Sequence, residues 1–276
     1  RIPENDSMYQ RLGNYYRRHV VPLITPRSKA IITVSAYEKE RIVQRLGVDP
    51  ELVHVVYNGI NEKRFHPFMD EQLLSSVRMK YHLPEKYILF LGNQSHRKNP
   101  HRAVEAYARY CAQCNHPLPL VTPGLSEKFI TETLRARGLP HNRNLFVTPG
   151  YVSDADLPAV YSLSTIFLFP SLSEGFGMPV IEAMASGVPV ITSATSSLPE
   201  IAGEAAILID PRDIDRMTSA ILALSSDESL RRQKIAEGLT NVKRFSWDRS
   251  AERVLNLYEA VYLQTRSVRK GVEVPA

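Results

Sequence analysis

The sequence predicts an α/β fold, a Rossmann-like parallel sheet with helices on both faces, and three observations carry that prediction. Short runs such as Tyr87–Leu91, Thr165–Pro170 and Val188–Thr192 are rich in β-branched or aromatic residues and lack polar alternation, as strands buried on both faces do. Stretches with apolar residues at helical spacing separate them, the pattern of βαβ units. Glycines and carboxylates collect directly after the apolar runs, at strand carboxyl ends, where open parallel sheets bind ligands.

The elements follow in order. A helical pattern lies near 7–20, then a strand at Ala30–Val34, a helix over about 36–46 and a strand near 52–57. Residues 61–86, with His66, Pro67 and Pro84, read as a connector. From Tyr87 the alternation is regular: strand 87–91, helix 100–112, strand 118–122, helix 126–137 closed by Gly138, and strand Asn144–Thr148. Ser153 and Asp156 make a capping-box-like start to a helix running through Tyr161. After the central run come a strand at Ala206–Ile209 and a helix over about 212–225, with Ile214, Met217, Ile221 and Leu224 on one stripe. Ser246 is placed to cap a last helix striped by Val254, Leu257, Tyr258 and Val261.

With 276 residues, 43% hydrophobic and 23% charged, the chain can bury one or two cores. No apolar run approaches the roughly 18 residues needed to span a bilayer, and no secretory signal is visible at the start. The first residue is Arg1, not Met, so the expectation is a piece of a longer product. A net charge of +5 accommodates an anionic ligand or an anionic membrane surface. No Lys/Arg block or aromatic–basic repeat points to nucleic acid. The two cysteines, Cys111 and Cys114, are too few for a structural zinc site, and Cys111 continues the stripe of Val104, Tyr107 and Ala108. Reduced, partly buried thiols in a reducing cytoplasm fit them best.

Chemistry is densest in Ser171–Gly187, where Glu174 and Glu182 bracket Gly175-Phe176-Gly177. Gly175, Gly177 and Pro179 start the helix near Pro179, since Pro suits a first turn and Gly a loop. Glu174 then lies on the loop and Glu182 in the first helical turn. The glycines bring backbone N–H groups to an electropositive helix N-terminus suited to phosphate. Such donors beside two carboxylates for hydroxyls match a sugar nucleotide; the plainer reading is a first-turn acid plus a solvated loop acid. Arg97-Lys98 lies between the strand at 87–91 and the helix at 100–112. Arg grips two phosphate oxygens through its planar fork and Lys adds a compact charge. Cations so placed stabilise the charge that grows on a departing diphosphate, whereas the plainer reading is a solvated basic loop. Asp154/Asp156 and Asp213/Asp215 form Asp-x-Asp pairs in predicted first helical turns, where the dipole favours acids, and are read as structural, with no metal required. No Gly-x-Gly-x-x-Gly follows the first strand of either part, which argues against a dinucleotide site.

The Glu174–Glu182 spacing resembles the E-x7-E signature of retaining glycosyltransferases with the two-domain GT-B fold, specifically family 4. Further blocks extend the resemblance in the right order. Val55-Val-Tyr-Asn58-Gly59 resembles the family's interdomain strand and linker, and Leu91-Gly-Asn-Gln-Ser-His-Arg97-Lys98-Asn99-Pro its Gly-Thr-x-Glu-Pro-Arg-Lys-Asn segment. Gly150-Tyr-Val-Ser153, Ser196-Ser-Leu-Pro-Glu200 and Phe245-Ser-Trp247 resemble three more. Ser95 and His96 stand where the family often has Glu and Pro. The resemblance implies that Glu182 accepts hydrogen bonds from ribose hydroxyls, that Glu174 contacts the donor sugar, and that the N–H groups of Phe176, Gly177 and Met178 approach sugar and phosphate. It puts Gly150, Tyr151 and Val152 at the base, Gly92 behind the diphosphate, and Arg97 and Lys98 on the diphosphate. It also implies a front-face, retaining transfer in which Glu174 positions sugar and does not attack it. A retaining hydrolase, which also uses two carboxylates, has no need of a diphosphate clamp.

On that resemblance, residues 1–60 are expected to end the N-terminal acceptor domain and 61–86 to be the interdomain connector. Residues 87–245 are the expected nucleotide-sugar donor domain, and 246–276 a C-terminal helix and tail. The expected reaction moves a hexosyl group from a GDP- or UDP-linked sugar to a glycan or lipid-linked acceptor in polysaccharide synthesis. No cofactor beyond that co-substrate is expected; a lipid-linked acceptor would allow peripheral contact with the inner face of the membrane, although no amphipathic basic helix demands it. With most of the acceptor domain missing, the isolated chain is expected to bind nucleotide but transfer little sugar. A non-catalytic nucleotide-binding fragment or partner module is the alternative from another class, and a complete upstream domain in the parent gene separates the two. Sugar-nucleotide epimerases share the architecture, but the acid and base they need at a sugar carbon cannot be placed.

Overall fold

The computed structural model of the protein describes residues 12, 13, 15–140, 142 and 145–270. The chain divides into two compact units, Asn58–Trp247 and a second made of Arg1–Tyr57 with Asp248–Ala276.

In the smaller unit, helical turns over Tyr16–Arg27 lead to strand β1 (Ile31–Thr33). Much of the predicted helix at 7–20 lies outside the described residues. Strand β2 (Val53–Val55) pairs in parallel with β1, Ile32 opposite His54, and helix α1 (Ala36–Leu46) crosses between them. The Ser35 hydroxyl accepts from the Glu38 N–H to start α1, and Gly47 ends it at φ 63°, a conformation free of Cβ strain only for glycine. In the C-terminal helix, Trp247–Lys270, Val254, Leu257 and Val261 are half-buried, but Tyr258 is exposed. The expected apolar stripe is therefore narrower by one residue. Ser250 donates to the Tyr57 carbonyl.

The larger unit holds β3 (Ile88–Leu89), β4 (Leu120–Val121), β5 (Phe146–Val147), β6 (Ile166–Phe169), β7 (Val190–Ser193) and β8 (Ala206–Ile209). All pair in parallel in the order β5-β4-β3-β6-β7-β8. This doubly wound order reverses direction between β3 and β6, which is where such sheets open a ligand crevice. Around the sheet run α2 (Glu71–Lys80), α3 (Pro100–Gln113), α4 (Glu127–Ala136), α5 (Leu157–Ser162), α6 (Met178–Ala185), α7 (Leu198–Ala202), α8 (Ile214–Ser226) and α9 (Glu228–Asn241).

Strand β6 shows why the apolar runs carry no polar residue. Ile166 and Leu168 join a core with Tyr107, Ile130, Leu134, Met217, Ile221 and Leu224 of α3, α4 and α8. Phe167 and Phe169, one step out of phase, stack on each other at 5.6 Å, and Phe167 meets Tyr161 of α5 edge-on at 5.2 Å. Period-two geometry thus puts alternate side chains into two different cores. Burying each such side chain contributes about 1.5–3 kcal/mol.

Some expectations are adjusted. The ladders are shorter than the runs: β3 and β4 pair only at Ile88–Leu120 and Leu89–Val121, with Pro119 and Pro123 flanking β4 and lacking an N–H. Asn144, the first residue of one predicted strand, lies outside the described residues. Asp213 accepts from the Arg216 N–H, so α8 begins at Ile214 and not at 212. Helix α2 sits inside the segment read as a connector, capped by Asp70 and burying only Val77. Helix α9 had no sequence signal because it is polar almost all round; its one fully buried residue is Gly238, where a Cβ would come within 3.2 Å of Met184 Cγ. Cys111 and Cys114 are free and half-buried, and burial pushes the Cys111 thiol up to about 11. No described helix is long and apolar enough to cross a membrane.

Candidate active site

The carboxyl ends of β3 and β6 flank the switch point, and Arg97, Lys98 and Glu174 come from the two loops that leave them. After β3 the chain makes a tight turn at His96–Lys98, begun where the Ser95 N–H donates to Asn93 Oδ1 at 3.0 Å. The Leu172 N–H donates to the Arg97 carbonyl at 2.8 Å and ties this turn to the loop after β6. Asn99 closes the turn at φ 59°, a left-handed conformation that Asn tolerates, and Pro100 takes the first position of α3. The buried Asn99 amide donates to Pro170 O at 3.1 Å and Pro211 O at 2.7 Å, while its Oδ1 accepts from Arg102 at 3.2 Å. Loops after β3, β6 and β8 are thereby held by one side chain.

Lys98 Nζ lies 2.8 Å from Glu174 Oε1, and Arg97 donates to Glu174 Oε2 and, at 3.1 Å, to the Ser173 carbonyl. Side-chain exposure is 16% for Lys98, 11% for Glu174 and 49% for Arg97, so the first two form an inner pair with Arg97 at the rim. The Lys98 ammonium also stands 4.4 Å from the centre of the Phe169 ring, a cation–π distance. Burial pulls the Lys98 ammonium down, and Glu174 partly offsets that. Burial pushes the Glu174 carboxyl up, yet the hydrogen bond and charge of Lys98, with help from the Ser171 hydroxyl and then Arg97, hold it below its ordinary value. The Glu174 backbone is pinned on both sides: its N–H donates to Ser196 Oγ at 3.0 Å, and the Ser197 hydroxyl shares its proton between Glu174 O at 2.9 Å and Phe176 O at 2.8 Å. Neither serine had an assigned role from sequence, although both stand in the quoted Ser196–Glu200 block.

Lys98 is also a wall of a cleft of about 310 Å³ that takes in Gly92, Asn93, Gly150, Tyr151 and Val152. Three glycines, Gly92, Gly124 and Gly150, are among the residues that line it. A Cβ on Gly92 would meet the Phe90 ring at 2.2 Å, and one on Gly124 would meet Gly92 O at 1.7 Å. The close approach that Gly92 permits is thus first of all that of Phe90. Gly150 turns at φ 77°, and Tyr151 is 85% exposed beside it. The loop that follows is moored to α2. Asp156 Oδ2 accepts from Lys80 at 2.6 Å, Tyr81 at 2.7 Å and Ser153 at 2.7 Å, and the Ser153 N–H donates to the Tyr81 oxygen at 3.1 Å. Lys80 foremost, then Ser153 and Tyr81, bring the Asp156 carboxyl down to about 2. The other Asp-x-Asp carboxylates also have structural partners: Asp154 pairs with Arg64 at 2.8 Å, Asp213 caps α8, and Asp215 pairs with Arg109 at 2.7 Å.

Gly177 precedes α6 at φ 114°, where a Cβ would come within 2.8 Å of Leu198 Cδ2. This cap starts the helix at Met178, one residue before Pro179, and Glu182 therefore sits in the second turn and not the first. Its Oε2 accepts from the Tyr161 hydroxyl at 3.0 Å. Burial pushes the Glu182 carboxyl up, against the opposing hydrogen bond of Tyr161 and charge of Arg64. The Phe176 side chain is buried, edge-on to Phe245 at 5.6 Å, which leaves its backbone as the part able to meet a ligand. Two sets of predicted residues are thus assembled, Arg97–Lys98–Glu174 and the cleft of Gly92, Gly150, Tyr151 and Val152, with Lys98 in both. Glu182 shares no ion pair with the first set and no wall with the second.

The model of the Glycosyl transferases group 1 family matches residues 78–240, more than half of the chain. The chain belongs to that family. Residues 3–64 of this glycosyltransferase match a second model, Glycosyltransferase Family 4. O-antigen chain mannosyltransferase B of Escherichia coli is 32% identical over 235 residues, covering 84% of this chain and 61% of the relative. MMP alpha-(1->4)-mannosyltransferase of Mycolicibacterium hassiacum is 31% identical over 237 residues, covering 83% and 53%. The glycosyltransferase chain therefore spans less than two thirds of either relative. Anabaena Alr3699/HepE, solved in complex with UDP and glucose, superposes with a TM-score of 0.75 at 18% identity over 88% of this chain and 66% of that one. Sucrose-phosphate synthase from Thermosynechococcus elongatus gives 0.70 at 24% identity over 85% and 59%. These likenesses establish the α/β fold of GT-B glycosyltransferases.

Proposed function

We propose that this chain is the donor-binding part of a retaining hexosyltransferase that uses a GDP- or UDP-linked sugar and a glycan or lipid-linked acceptor. The observation that carries the reading is the half-buried Lys98–Glu174 pair at the switch point, flanked by Arg97 and by a cleft lined in part by glycines. Charges are costly to hold in such a place, and here they meet the needs of a diphosphate and a sugar. In this reading the phosphates lie on Arg97 and Lys98, near the N-terminus of α6, and the base enters the cleft beside Gly92 and Gly150–Val152. The backbone of Phe176, Gly177 and Met178 approaches sugar and phosphate, Glu182 takes the ribose hydroxyls, and Glu174 orients the sugar. Residues 87–245 act as the donor domain, 61–86 as its connector, and 1–60 as the end of an acceptor domain.

The bond from sugar C1 to the diphosphate oxygen breaks, and the acceptor oxygen bonds to C1 on the same face. The acceptor proton passes to the departing phosphate oxygen. Negative charge on the diphosphate rises along this path, so Arg97, Lys98 and the helix dipole bind the transition state more tightly than the ground state. The names of the two curated relatives, both mannosyltransferases, support a hexosyl donor.

Calorimetric titration with GDP, UDP and their common sugar conjugates tests the reading. The expected result is selective binding of one nucleotide, weakened about ten- to a hundredfold by Lys98→Ala through loss of a charge-assisted contact, and weakened also by Glu182→Ala. Failure of every nucleotide to bind would overturn it.

A further inference from the structure

We propose that Glu174 is an internal competitor for the diphosphate cations, so that the site favours a sugar nucleotide over the free nucleoside diphosphate and expels the latter after transfer. The inference rests on the reading of Arg97 and Lys98 as the diphosphate clamp, and it adds a second role for Glu174 beyond sugar contact.

Both carboxylate oxygens of Glu174 are committed to the cations, Oε1 to Lys98 and Oε2 to Arg97. A diphosphate that reaches Lys98 meets a carboxylate already there. Two anions on one half-buried ammonium repel each other in a place where solvent screens them only in part. Glu174 must therefore give way. Its backbone cannot move readily, because Ser196 holds the N–H and Ser197 the carbonyl. The carboxylate leaves by rotating its own side chain from one staggered arrangement to another.

Where it goes distinguishes the two ligands. A sugar nucleotide carries hydroxyl donors beside the diphosphate, and the displaced carboxylate turns to them. A free nucleoside diphosphate has only its ribose hydroxyls, which this reading gives to Glu182, so displacement costs Glu174 its two charge-assisted bonds with no sugar hydroxyl in exchange. The apparent affinity of a ligand falls by the fraction of time that the competent arrangement is populated. If Glu174 occupies the cations nine-tenths of the time, free diphosphate binding is weakened about tenfold. The return of the carboxylate to Lys98 and Arg97 once the sugar has left opposes retention of the product.

The test is calorimetry and stopped-flow dissociation with GDP and UDP and their sugar conjugates on the full chain, comparing wild type with Glu174→Gln. The substitution keeps the shape and the capacity to bond hydroxyls but removes the charge. The expected result is about tenfold tighter and slower-dissociating free nucleoside diphosphate, a smaller change for the sugar conjugate, and a gap that narrows as salt is raised. Glu174→Ala, expected to change free diphosphate binding in the same direction, carries the test if the Gln variant does not fold. Wild type that binds a nucleotide with variants that bind it equally or more weakly overturns this inference and leaves the clamp standing. Absence of nucleotide binding in every chain overturns both.

Discussion

Replacing Asn99 with Ala removes a side chain that ties the loops after β3, β6 and β8 together. Two donated bonds are lost, to Pro170 O at 3.1 Å and Pro211 O at 2.7 Å, and both carbonyls belong to buried residues. A hydrogen bond has a net worth of about 1 kcal/mol, and a buried acceptor left unpaired costs about 1–3 kcal/mol. Ala must also adopt φ 59°, at a strain of about 1 kcal/mol. The expected destabilisation is about 3–5 kcal/mol, a large share of the roughly 5–15 kcal/mol that keeps a domain folded. Asn99→Gly separates the terms, since Gly adopts this φ freely and should recover about 1 kcal/mol. Urea unfolding midpoints at constant m-value give both differences. A loss under about 1 kcal/mol in the Ala variant, or no recovery in the Gly variant, would refute the tie as described.

Glu182→Gln should raise the unfolding midpoint at pH 8 and not at pH 4. The folded-state carboxyl is pushed up by burial, so ionisation opposes folding as pH rises through its folded value, and Gln retains the Tyr161 bond without that cost. The same variant should bind nucleotide more weakly, and a gain in both properties would count against the ribose role. Asp156→Asn should flatten the acid limb of stability. Its carboxyl lies at about 2 in the fold, so the contribution is present above the unfolded value near 3.9 and lost as pH falls toward 2; parallel midpoint–pH profiles would contradict this. Gly177→Ala should lose about 1–3 kcal/mol by calorimetric melting, through φ 114° and the contact with Leu198. Leu198→Ala in the same chain should cost less than it does in the wild type.

The apolar runs made the parallel sheet legible, because β6 sends alternate residues into two cores and so needs none that is polar. They were silent on strand order, which depends on pairings such as Ile88 with Ile166, far apart in the chain. Helices α2 and α9 escaped notice because each buries little. At the site, residue type was enough to single out Arg97, Lys98 and Glu174. Their mutual pairing was not legible, since it spans two loops brought together only by the sheet. Asn99 and Ser197 were missed as supports for the same reason: each holds main-chain carbonyls, and carbonyls leave no trace in a sequence. Glu182 was placed one turn too early because Pro179 signals a first turn without saying which position of that turn it fills.

Phe169 ends β6 inside the aromatic stack and also lies under the Lys98 ammonium. One ring therefore belongs to the interior on one side and to the candidate site on the other. A leucine there could fill much of the same volume and keep the fold, yet it has no π-face to offer a cation. Selection for stability alone would not distinguish the two residues, and a designer improving this core by volume would change the surroundings of Lys98 without seeing a warning in the melting curve.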